Sequence, residues 1–466
     1  MLDVLIRGGA VVTPAATERF DVGVKDGRIV AFAEENSVDL HAARTVDARG
    51  KYVIPGGIDA HVHFNVALSP VMRAQSATFG GRAAAFGGTT TFIDFALQKG
   101  ELSLVRAIEG KQEELKRDKP DIDYALHAMI TGKATLNILD EIPAAISGGV
   151  SSFKTFTTFS GASASGSMYT DDGRIWGVMQ KTAKHGGITM VHCEDDCIIE
   201  HCVHKLYREG RQQAQNIREA RPNLCEEAAV SRMLLLSRRT GSPLYIVHVS
   251  SAEAVEAIAE ARGKSTPVYG ESLHNYLAFC DEDYAKPNGV IYHNYPSLKS
   301  SNDRSALWEG LESGVLDVAS SDDFTIPFAS KTSGKEVDNA LGGHNGIETR
   351  MGYLFSEGVK KGRISVNRFV EVASTSVAKL FGIYPRKGVI AIGSDADIVL
   401  IDPNRKQKIA LADLHSNCDY SIWDGWNFEG IPVLTMLRGN ILVENGQWIG
   451  SSGIGQFIAS RSPERP

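Results

Sequence analysis

The sequence predicts an α/β protein in which a (β/α)8 barrel of the TIM type carries a second, small β-sandwich domain built from both chain ends. The middle of the chain alternates eight apolar runs with helical stretches, which is typical of a parallel sheet wrapped by helices. Both ends contain short alternating strands separated by turn signals. Five of the eight runs contain or end in side chains that bind metals or transfer protons, at the strand ends where barrel enzymes place their reactive groups.

The predicted organisation divides the 466 residues into four segments. Residues 1–54 and 382–450 form the two parts of the β-sandwich, and residues 55–381 form the barrel. Residues 451–466 form a C-terminal tail in which Phe457 and Ile458 can pack, and we expect it as a contact between subunits. Turn residues such as Asp26-Gly27 separate the short strands of the terminal parts, as in β-hairpins.

The eight runs predicted as barrel strands, and the helical stretches between them, follow from hydrophobic periodicity. The runs are YVIPGGIDAHVHF, TTTFIDFAL, DYALHAMIT, GVSSFKTFT, GITMVHCED, PLYIVHVSS, TPVYGESL and GVLDVASSDDF. The clearest helices are SLVRAIEGKQEELKRD and CEEAAVSRMLLLSRRT.

Charge and composition exclude several classes of partner. A net charge of -7 without a Lys/Arg block gives no surface for nucleic acid. The N-terminus has no secretory pattern and no apolar run is long enough for a membrane span, so we expect a cytoplasmic protein without a membrane partner. Six cysteines in so long a chain fit a reducing compartment. Three of them have roughly helical spacing, which suits small buried residues better than a metal cluster: Cys193, Cys197 and Cys202.

The stretch GGIDAHVHF places His61 and His63 on alternate positions, so their imidazoles leave a strand on the same face and converge, as metal ligands do. Taken singly, each candidate also fits a hydrogen-bonded core histidine or a capping aspartate. Their shared position at strand ends favours one common site. The candidates are His61, His63, Lys154, His192, His248 and Asp322.

Lys154 lies inside the apolar run SSFKTFT, where an isolated ammonium is costly to bury. Its head could reach solvent at the strand end, or a lowered pKa could make it a Schiff-base nucleophile. It could also react with CO2 to form a carbamate, whose two oxygens can bridge two metal ions. Beside four imidazoles the carbamate makes chemical sense.

At these residues the chain resembles the dihydropyrimidinase and hydantoinase branch of the amidohydrolase superfamily, which also includes allantoinases and dihydroorotases. The resemblance covers nearly the whole chain. Its motifs are GGIDAHVHF, SSFKTF, VHCED, IVHVSS, ASSDDF, GGHNGIETR, KLFGIYPRKGVIAIGSDADIVL and GIGQF.

The resemblance implies two divalent metal ions, usually zinc, and a homotetramer, with a homodimer left open. It assigns the more buried ion to His61, His63 and Asp322, the more exposed ion to His192 and His248, and a bridge to carboxylated Lys154. Paired ions would lower the pKa of a bridging water and polarise the attacked carbonyl.

Two aspartates have roles beyond simple ligation in this interpretation. Asp322 would take the proton of the attacking hydroxide and pass it to the leaving amide nitrogen. Asp59, two residues before His61, would face the same side and orient a ligand, although an ordinary turn aspartate fits the position equally well.

The chain departs from the family mainly at residues that bind substrate. The tyrosine usually found five residues after the lysine is Phe159, and Tyr295 stands where the family has a serine. Our hypothesis is that Tyr295 or Tyr169 supplies the lost hydroxyl. Gly342 replaces an asparagine at a place where the family uses backbone groups to bind the ring.

A further departure follows the catalytic aspartate. The usual Ser-Asp-His has become Ser321-Asp322-Asp323, which removes a histidine next to the predicted proton carrier.

The sequence therefore predicts a binuclear hydrolase that opens a cyclic amide, ureide or imide ring. A hydantoin-like ring is the first choice, and dihydrouracil and allantoin come next. The loops at residues 64–73 and 155–168, which contain Asn65, Val66 and Phe156, would form the substrate gate.

Two other classes of function are weighed against the hydrolase. Collapsin-response mediator proteins share the fold as scaffolds that have lost metal ligands, whereas all six ligand positions are filled here. A mononuclear deaminase would not need Lys154.

Overall fold

The computed structural model describes residues 1–34, 40–67, 73–132, 134–160 and 168–463. The strands are β1 Leu2–Val12, β2 Thr17–Lys25, β3 Arg28–Glu34, β4 Ala42–Asp47, β5 Tyr52–Pro55, β6 Gly57–Val62, β7 Thr89–Leu97, β8 Asp123–Met129, β9 Ser152–Phe156, β10 Ile188–His192, β11 Leu244–Ile246, β12 Val268–Leu273, β13 Val318–Ser320, β14 Ile398–Lys408, β15 Asn427–Leu437, β16 Asn440–Glu444 and β17 Gln447–Trp448.

The α-helices are α1 Ala77–Phe86, α2 Leu104–Asp118, α3 Ile142–Ser147, α4 Asp172–His185, α5 Asp196–Arg208, α6 Ile217–Ala220, α7 Asn223–Thr240, α8 Ala252–Gly263, α9 His274–Ala278, α10 Ser301–Ser313, α11 Phe328–Lys331, α12 Arg350–Tyr353, α13 Val366–Val370 and α14 Ser376–Leu380. Short 3-10 helices lie at Leu136–Glu141, Ala214–Asn216, Asp281–Ala285, Gly289–Tyr292 and Leu411–Asp413. Two π-helical segments lie at Leu354–Val359 and Glu371–Thr375.

The barrel is an eight-stranded parallel sheet whose strands follow one another in chain order from β6 to β13. A bridge between Val62 and Asp323 brings its two edges together, so the sheet is nearly closed. Each of the eight predicted runs contains one of these strands, and the barrel prediction is confirmed. Its parallel order places the carboxyl ends of all eight strands around one opening.

The first predicted run is wrong as a single strand, because it is divided between two sheets. Tyr52–Pro55 pairs with β1 and β14 in the terminal sheet, whereas Gly57–Val62 begins the barrel. Gly56 lies at the crossing point, where a side-chain Cβ would come within 2.0 Å of the Thr90 hydroxyl oxygen. Only glycine allows the chain to pass from one sheet to the other so close to β7.

The second unit is a nine-stranded mixed sheet that contains strands from both chain ends, as predicted. Strands β1 to β5 supply one side and β14 to β17 the other, and β5 pairs with β14 in the middle. The predicted hairpin turn is present between β2 and β3, with Asp26 at φ 48° and Gly27 at φ 75°. These left-handed values suit the Asp-Gly pair.

The C-terminal segment packs against the end of the barrel opposite the strand carboxyl ends. The amide of Tyr124 donates to the carbonyl of Gln456 at 3.0 Å, and that of Ile458 donates to Tyr124 at 2.7 Å. Ile458 is buried in the cluster that fills the barrel interior, together with Phe381.

Two further predictions concern cysteines and membranes. All six cysteines are free thiols. Cys193 precedes α5, and Cys197 and Cys202 lie within it, so the three do not share one helix. Among the helices of the described residues, none is both long and apolar enough to cross a membrane.

Candidate metal centre

Six side chains predicted as ligands come from five barrel strands or the residues that directly follow them. His61, Lys154 and His192 lie within β6, β9 and β10, and His63, His248 and Asp322 lie one or two residues beyond β6, β11 and β13. Because the strands are parallel, these positions meet at the carboxyl-end opening of the barrel.

The first group is formed by His61, His63 and Asp322, whose ligand atoms all lie within 4.8 Å of one another. The Asp322 Oδ1 atom lies 3.3 Å from His61 Nε2 and 3.1 Å from His63 Nε2. Burial alone would raise the pKa of Asp322, but His61 and His63 outweigh it and hold the pKa well below its usual range. The carboxylate is therefore ionised and faces two imidazoles, which is a suitable donor set for a divalent cation.

His192 and His248 lie beside the first group. Their ring centroids are 4.5 Å apart, and the ring of His248 stacks on that of His61 at 5.5 Å. Burial lowers the pKa of both imidazoles, which keeps them neutral and able to act as ligands. The Nδ1 atom of His248 is buried and has no hydrogen-bond partner among the described residues.

Lys154 enters this cluster from β9. Its Nζ atom lies 2.8 Å from His61 Nε2, and its side chain is 2% exposed. Burial lowers the pKa of Lys154, although the carboxylates of Asp322 and Glu271 oppose that shift. The structure therefore brings all six predicted ligand residues together.

Sequence reasoning missed Glu271, which fixes the orientation of His61. Its Oε1 accepts from His61 Nδ1 at 2.8 Å and from the His248 backbone amide at 3.0 Å. Its Oε2 accepts from the hydroxyl of Tyr245 at 2.9 Å. With its Nδ1 proton held by Glu271, His61 presents the Nε2 lone pair to the site. The available signal was a charged residue inside the seventh apolar run, TPVYGESL.

Glu194 has a corresponding role for His192 and was also missed. Its Oε2 accepts from His192 Nε2 at 2.8 Å and from Arg221 at 2.6 Å. The Nδ1 atom of His192 is then the one available as a ligand. Arg221 keeps this buried carboxylate ionised and holds the pKa of Glu194 below its usual range, against the effect of burial.

Asp59 is fully buried and acts on the backbone rather than on an imidazole. Its Oδ1 accepts from the backbone amides of His61 and Ser321, each at 3.2 Å. Its Oδ2 lies 3.4 Å from the guanidinium of Arg350, which is also fully buried. Asp59 thus ties together the ends of β6 and β13, the two strands that carry the first metal group.

Phe159 and Tyr295 form an aromatic wall beside His192. The Phe159 ring lies 5.1 Å from His192 and packs edge-on against Tyr295 at 5.3 Å. The Tyr295 hydroxyl donates to the Ala340 carbonyl at 2.6 Å, so its proton is already engaged. A Cβ at Gly342 would lie 2.5 Å from Cδ2 of Tyr295, which explains why glycine accompanies the larger ring there.

The structure describes Tyr169 and part of the two loops that were expected to form the substrate gate. Tyr169 is 37% exposed, and burial together with Asp172 raises its pKa. In the gate, Phe156 is buried and Asn65 donates to Asp118 at 2.9 Å. The rest of the predicted gate, residues 68–72 and 161–167, lies outside the described residues.

The residues fit the pair of divalent ions that the resemblance implies. Oxygen and imidazole donors converge, and the partners Glu271 and Glu194 fix which imidazole nitrogen is free. The orphaned Nδ1 of His248 is explained if it binds a cation.

Comparisons with known proteins agree with this geometry. The amidohydrolase family model matches residues 52–442. Related proteins include the D-hydantoinase of Geobacillus stearothermophilus, 37% identical over 460 residues that cover 97% of this chain and 96% of that protein. The D-phenylhydantoinase of Escherichia coli is 34% identical over 465 residues, which cover 98% of this chain and 97% of that protein.

Solved structures give the same result. A dihydropyrimidinase from Brevibacillus agri superposes with a TM-score of 0.94 at 34% identity and covers 100% of both chains. The L-hydantoinase of Arthrobacter aurescens superposes with a TM-score of 0.91 at 32% identity, covering 98% of this chain and 100% of that one. The chain therefore belongs to the hydantoinase and dihydropyrimidinase branch of the amidohydrolase family and is a cyclic amidohydrolase of that type.

Proposed function

We propose that this enzyme opens a hydantoin-like ring by hydrolysis of a ring carbon-nitrogen amide bond, at a centre of two divalent ions held by the six-residue cluster. The observation that carries the proposal is the position of Lys154, buried among imidazoles with its Nζ 2.8 Å from His61 Nε2. A positively charged ammonium at this place would repel a metal ion, so the lysine must change its chemistry for the site to be filled.

Carbamylation of Lys154 resolves this conflict. The ammonium group first loses a proton. The neutral amine then bonds to the carbon of CO2 and releases a second proton, which gives a carbamate anion with two oxygen donors. The low pKa of Lys154 supports the reaction because only the neutral amine is a nucleophile. We assign His61, His63 and Asp322 to one ion, His192 and His248 to the other, and the carbamate to both; zinc is the expected metal. Such ions supply activated water at neutral pH and polarise a carbonyl.

The reaction itself balances as the addition of one water to one ring amide. The water oxygen bonds to the carbonyl carbon, the carbon-nitrogen bond breaks, and the nitrogen gains a proton. Asp322 is the proposed proton carrier, since its carboxylate is ionised and lies at the centre of the cluster. The product from a hydantoin is an N-carbamoyl amino acid.

The aromatic wall of Phe159 and Tyr295 favours a ring that carries an apolar or aromatic substituent. The engaged hydroxyl of Tyr295 leaves Tyr169 as our candidate for the donor that replaces the missing tyrosine. Gly342 serves mainly to leave room for the Tyr295 ring, and its backbone remains a proposed substrate contact. Dihydropyrimidine and allantoin rings are the next substrates in order.

The remaining expectations are a homotetramer, or a homodimer, and a cytoplasmic location. Both rest on the family resemblance and on the sequence, and size-exclusion chromatography with light scattering tests the first of them.

The experiment is a metal analysis combined with ring opening of hydantoin, a 5-aryl hydantoin, dihydrouracil and allantoin. Lys154→Ala is the test variant, and Lys181→Ala is the matched control, since Lys181 pairs with Asp140 at the surface. We expect about two zinc ions per wild-type chain and ring opening of the hydantoins. The Lys154 variant should lose both, and the control should lose neither.

The other outcomes separate the alternatives. Two ions without turnover of any of the four compounds would keep the metal hydrolase and reject the hydantoin-like substrate. A wild-type protein that holds no metal after growth with zinc would favour the scaffold function.

A further inference from the structure

The two oxygens of the Asp322 carboxylate have different surroundings. Oδ1 faces the imidazoles of His61 and His63 at 3.3 and 3.1 Å. Oδ2 accepts a hydrogen bond from the side-chain amide of Asn294 at 2.9 Å. Asn294 is 3% exposed and Asp322 is 6% exposed, so water does not compete strongly for this bond.

The segment that carries Asn294 is itself anchored on both sides. The carbonyl of His293 accepts from Nζ of Lys331 at 2.7 Å, and the next residue after Asn294, Tyr295, donates to Ala340 at 2.6 Å. Lys331 is fully buried, and its second bond, at 2.6 Å, is to the carbonyl of Leu341.

These anchors hold the amide of Asn294 in a fixed place relative to β13. Asp322 follows that strand in the left-handed backbone region, with φ 51°, and its carboxylate can still turn about its last side-chain bond. A fixed donor at Oδ2 selects the orientation that presents Oδ1 to the histidines.

We propose that Asn294 is a positioning residue for Asp322, which holds one carboxylate oxygen so that the other is presented as a metal ligand. The proposal deepens the function proposed above and rests on it. Outer partners of metal ligands orient them, and their loss typically costs about 10- to 100-fold in metal affinity or activity.

The experiment compares three variants of the full-length protein. Asn294→Leu removes the donor at similar volume. Asn294→Ala removes it without adding a charge, and it also covers the case in which the leucine variant fails to fold. The matched control is Asn223→Leu, because Asn223 also donates to an aspartate, Asp303, at 2.8 Å but lies at the start of α7.

The first readout is the rate at which zinc-loaded protein loses zinc to a chelator. We expect the Asn294 variants to lose zinc about 10- to 100-fold faster than the wild type, and kcat to fall while KM changes little. The control should keep the wild-type rate of zinc loss. The proposal would be overturned if both Asn294 variants kept zinc as long as the wild type does. It would also be overturned if the Asn223→Leu control lost zinc as fast as the Asn294 variants.

The second readout is independent of metal and of turnover. Crystal structures of the metal-free wild type and of Asn294→Ala report the orientation of the Asp322 carboxylate directly. We expect the carboxylate to turn away from His61 and His63 in the variant. An unchanged carboxylate would refute the role of Asn294 even if the protein proved to bind no zinc, and a turned one would support it even if no cyclic amide were hydrolysed.

Discussion

A buried lysine joins the barrel to the terminal sheet and offers a sharp test of the energetics. Lys387 is 2% exposed, and its Nζ lies 2.6 Å from Asp123, 2.6 Å from Asp397 and 3.0 Å from Asp395. Asp123 begins a barrel strand, whereas Asp395 and Asp397 precede β14 of the terminal sheet. We predict that Lys387→Met destabilises the fold because it removes a cation that all three carboxylates share.

The contacts of the three carboxylates indicate how much the free energy of unfolding should fall. Without Lys387, Asp123 still pairs with Arg438 and Asp395 still pairs with Arg386. The side-chain carboxylate of Asp397 keeps only the hydrogen bond from the backbone amide of Arg438, at 2.8 Å, among its bonds to the described residues. One buried carboxylate is therefore left without a cation, and breaking a buried pair in this way costs about 3–5 kcal/mol.

A second substitution tests the reasoning. If the cost comes from the uncompensated charge of Asp397, then Asp397→Asn should restore much of the stability in the Lys387→Met background. Guanidinium denaturation followed by circular dichroism measures both changes, with Lys406→Met as a control because Lys406 is 74% exposed. A single variant that loses less than about 1 kcal/mol, or a double variant less stable than the single one, would refute it.

The contribution of Lys387 also has a definite pH dependence. Burial lowers its pKa, but Asp397, Asp123 and Asp395 outweigh burial and raise the pKa above the ordinary 10.5. A cation whose pKa is higher in the folded state stabilises fully at pH values below its unfolded pKa and loses that effect as the pH rises through the folded value. The contribution of the Lys387 charge should therefore be fully present at neutral pH and be lost as the pH rises above 10.5.

Two further predictions concern the metal centre and its aromatic wall. Glu271→Gln should increase the rate of zinc loss to a chelator by about 10- to 100-fold, because an amide orients His61 less strongly than a carboxylate; an unchanged rate would contradict this. Gly342→Ala should cost about 1–3 kcal/mol in denaturation because its Cβ meets the Tyr295 ring, and adding Tyr295→Ser should remove that cost. The control Gly110→Ala, which meets nothing within 4 Å, should not destabilise, and equal losses at both glycines would refute the steric explanation.

The barrel was predictable because its evidence is repeated along the chain. Eight apolar runs alternate with helices, so an error in one strand does not change the fold class. The predicted domain boundary between residues 54 and 55 falls inside the first run, but the run itself does not show where one strand ends and the next begins. Both halves, Tyr52–Pro55 and Gly57–Val62, are apolar, and only their partners in two different sheets distinguish them.

The convergence of the candidate ligand residues was predictable because parallel strands order them. Once His61 and Asp322 are placed at the ends of the first and eighth strands, closure of the barrel brings them together. Glu271 and Asn294 do not follow from this rule. A glutamate in a strand and an asparagine in an irregular segment are common, and their roles depend on side-chain directions that sequence spacing does not fix.

The departures from the family pattern gain a physical meaning only in the structure. Asp323, which replaces a histidine, is fully buried and accepts from Gln75 at 2.9 Å and from the amides of Gly346 and Ile347 at 2.9 and 3.1 Å. Asp323 therefore anchors the loop that follows Gly342. Gly342 has no side chain, which leaves space for the Tyr295 ring. Two of the departures are thus linked directly, since the larger ring of Tyr295 requires the glycine at position 342. Residues that contact one another in this way are expected to show coupled, non-additive effects when they are substituted, whereas Asp323, which binds Gln75, Gly346 and Ile347, should act independently of them.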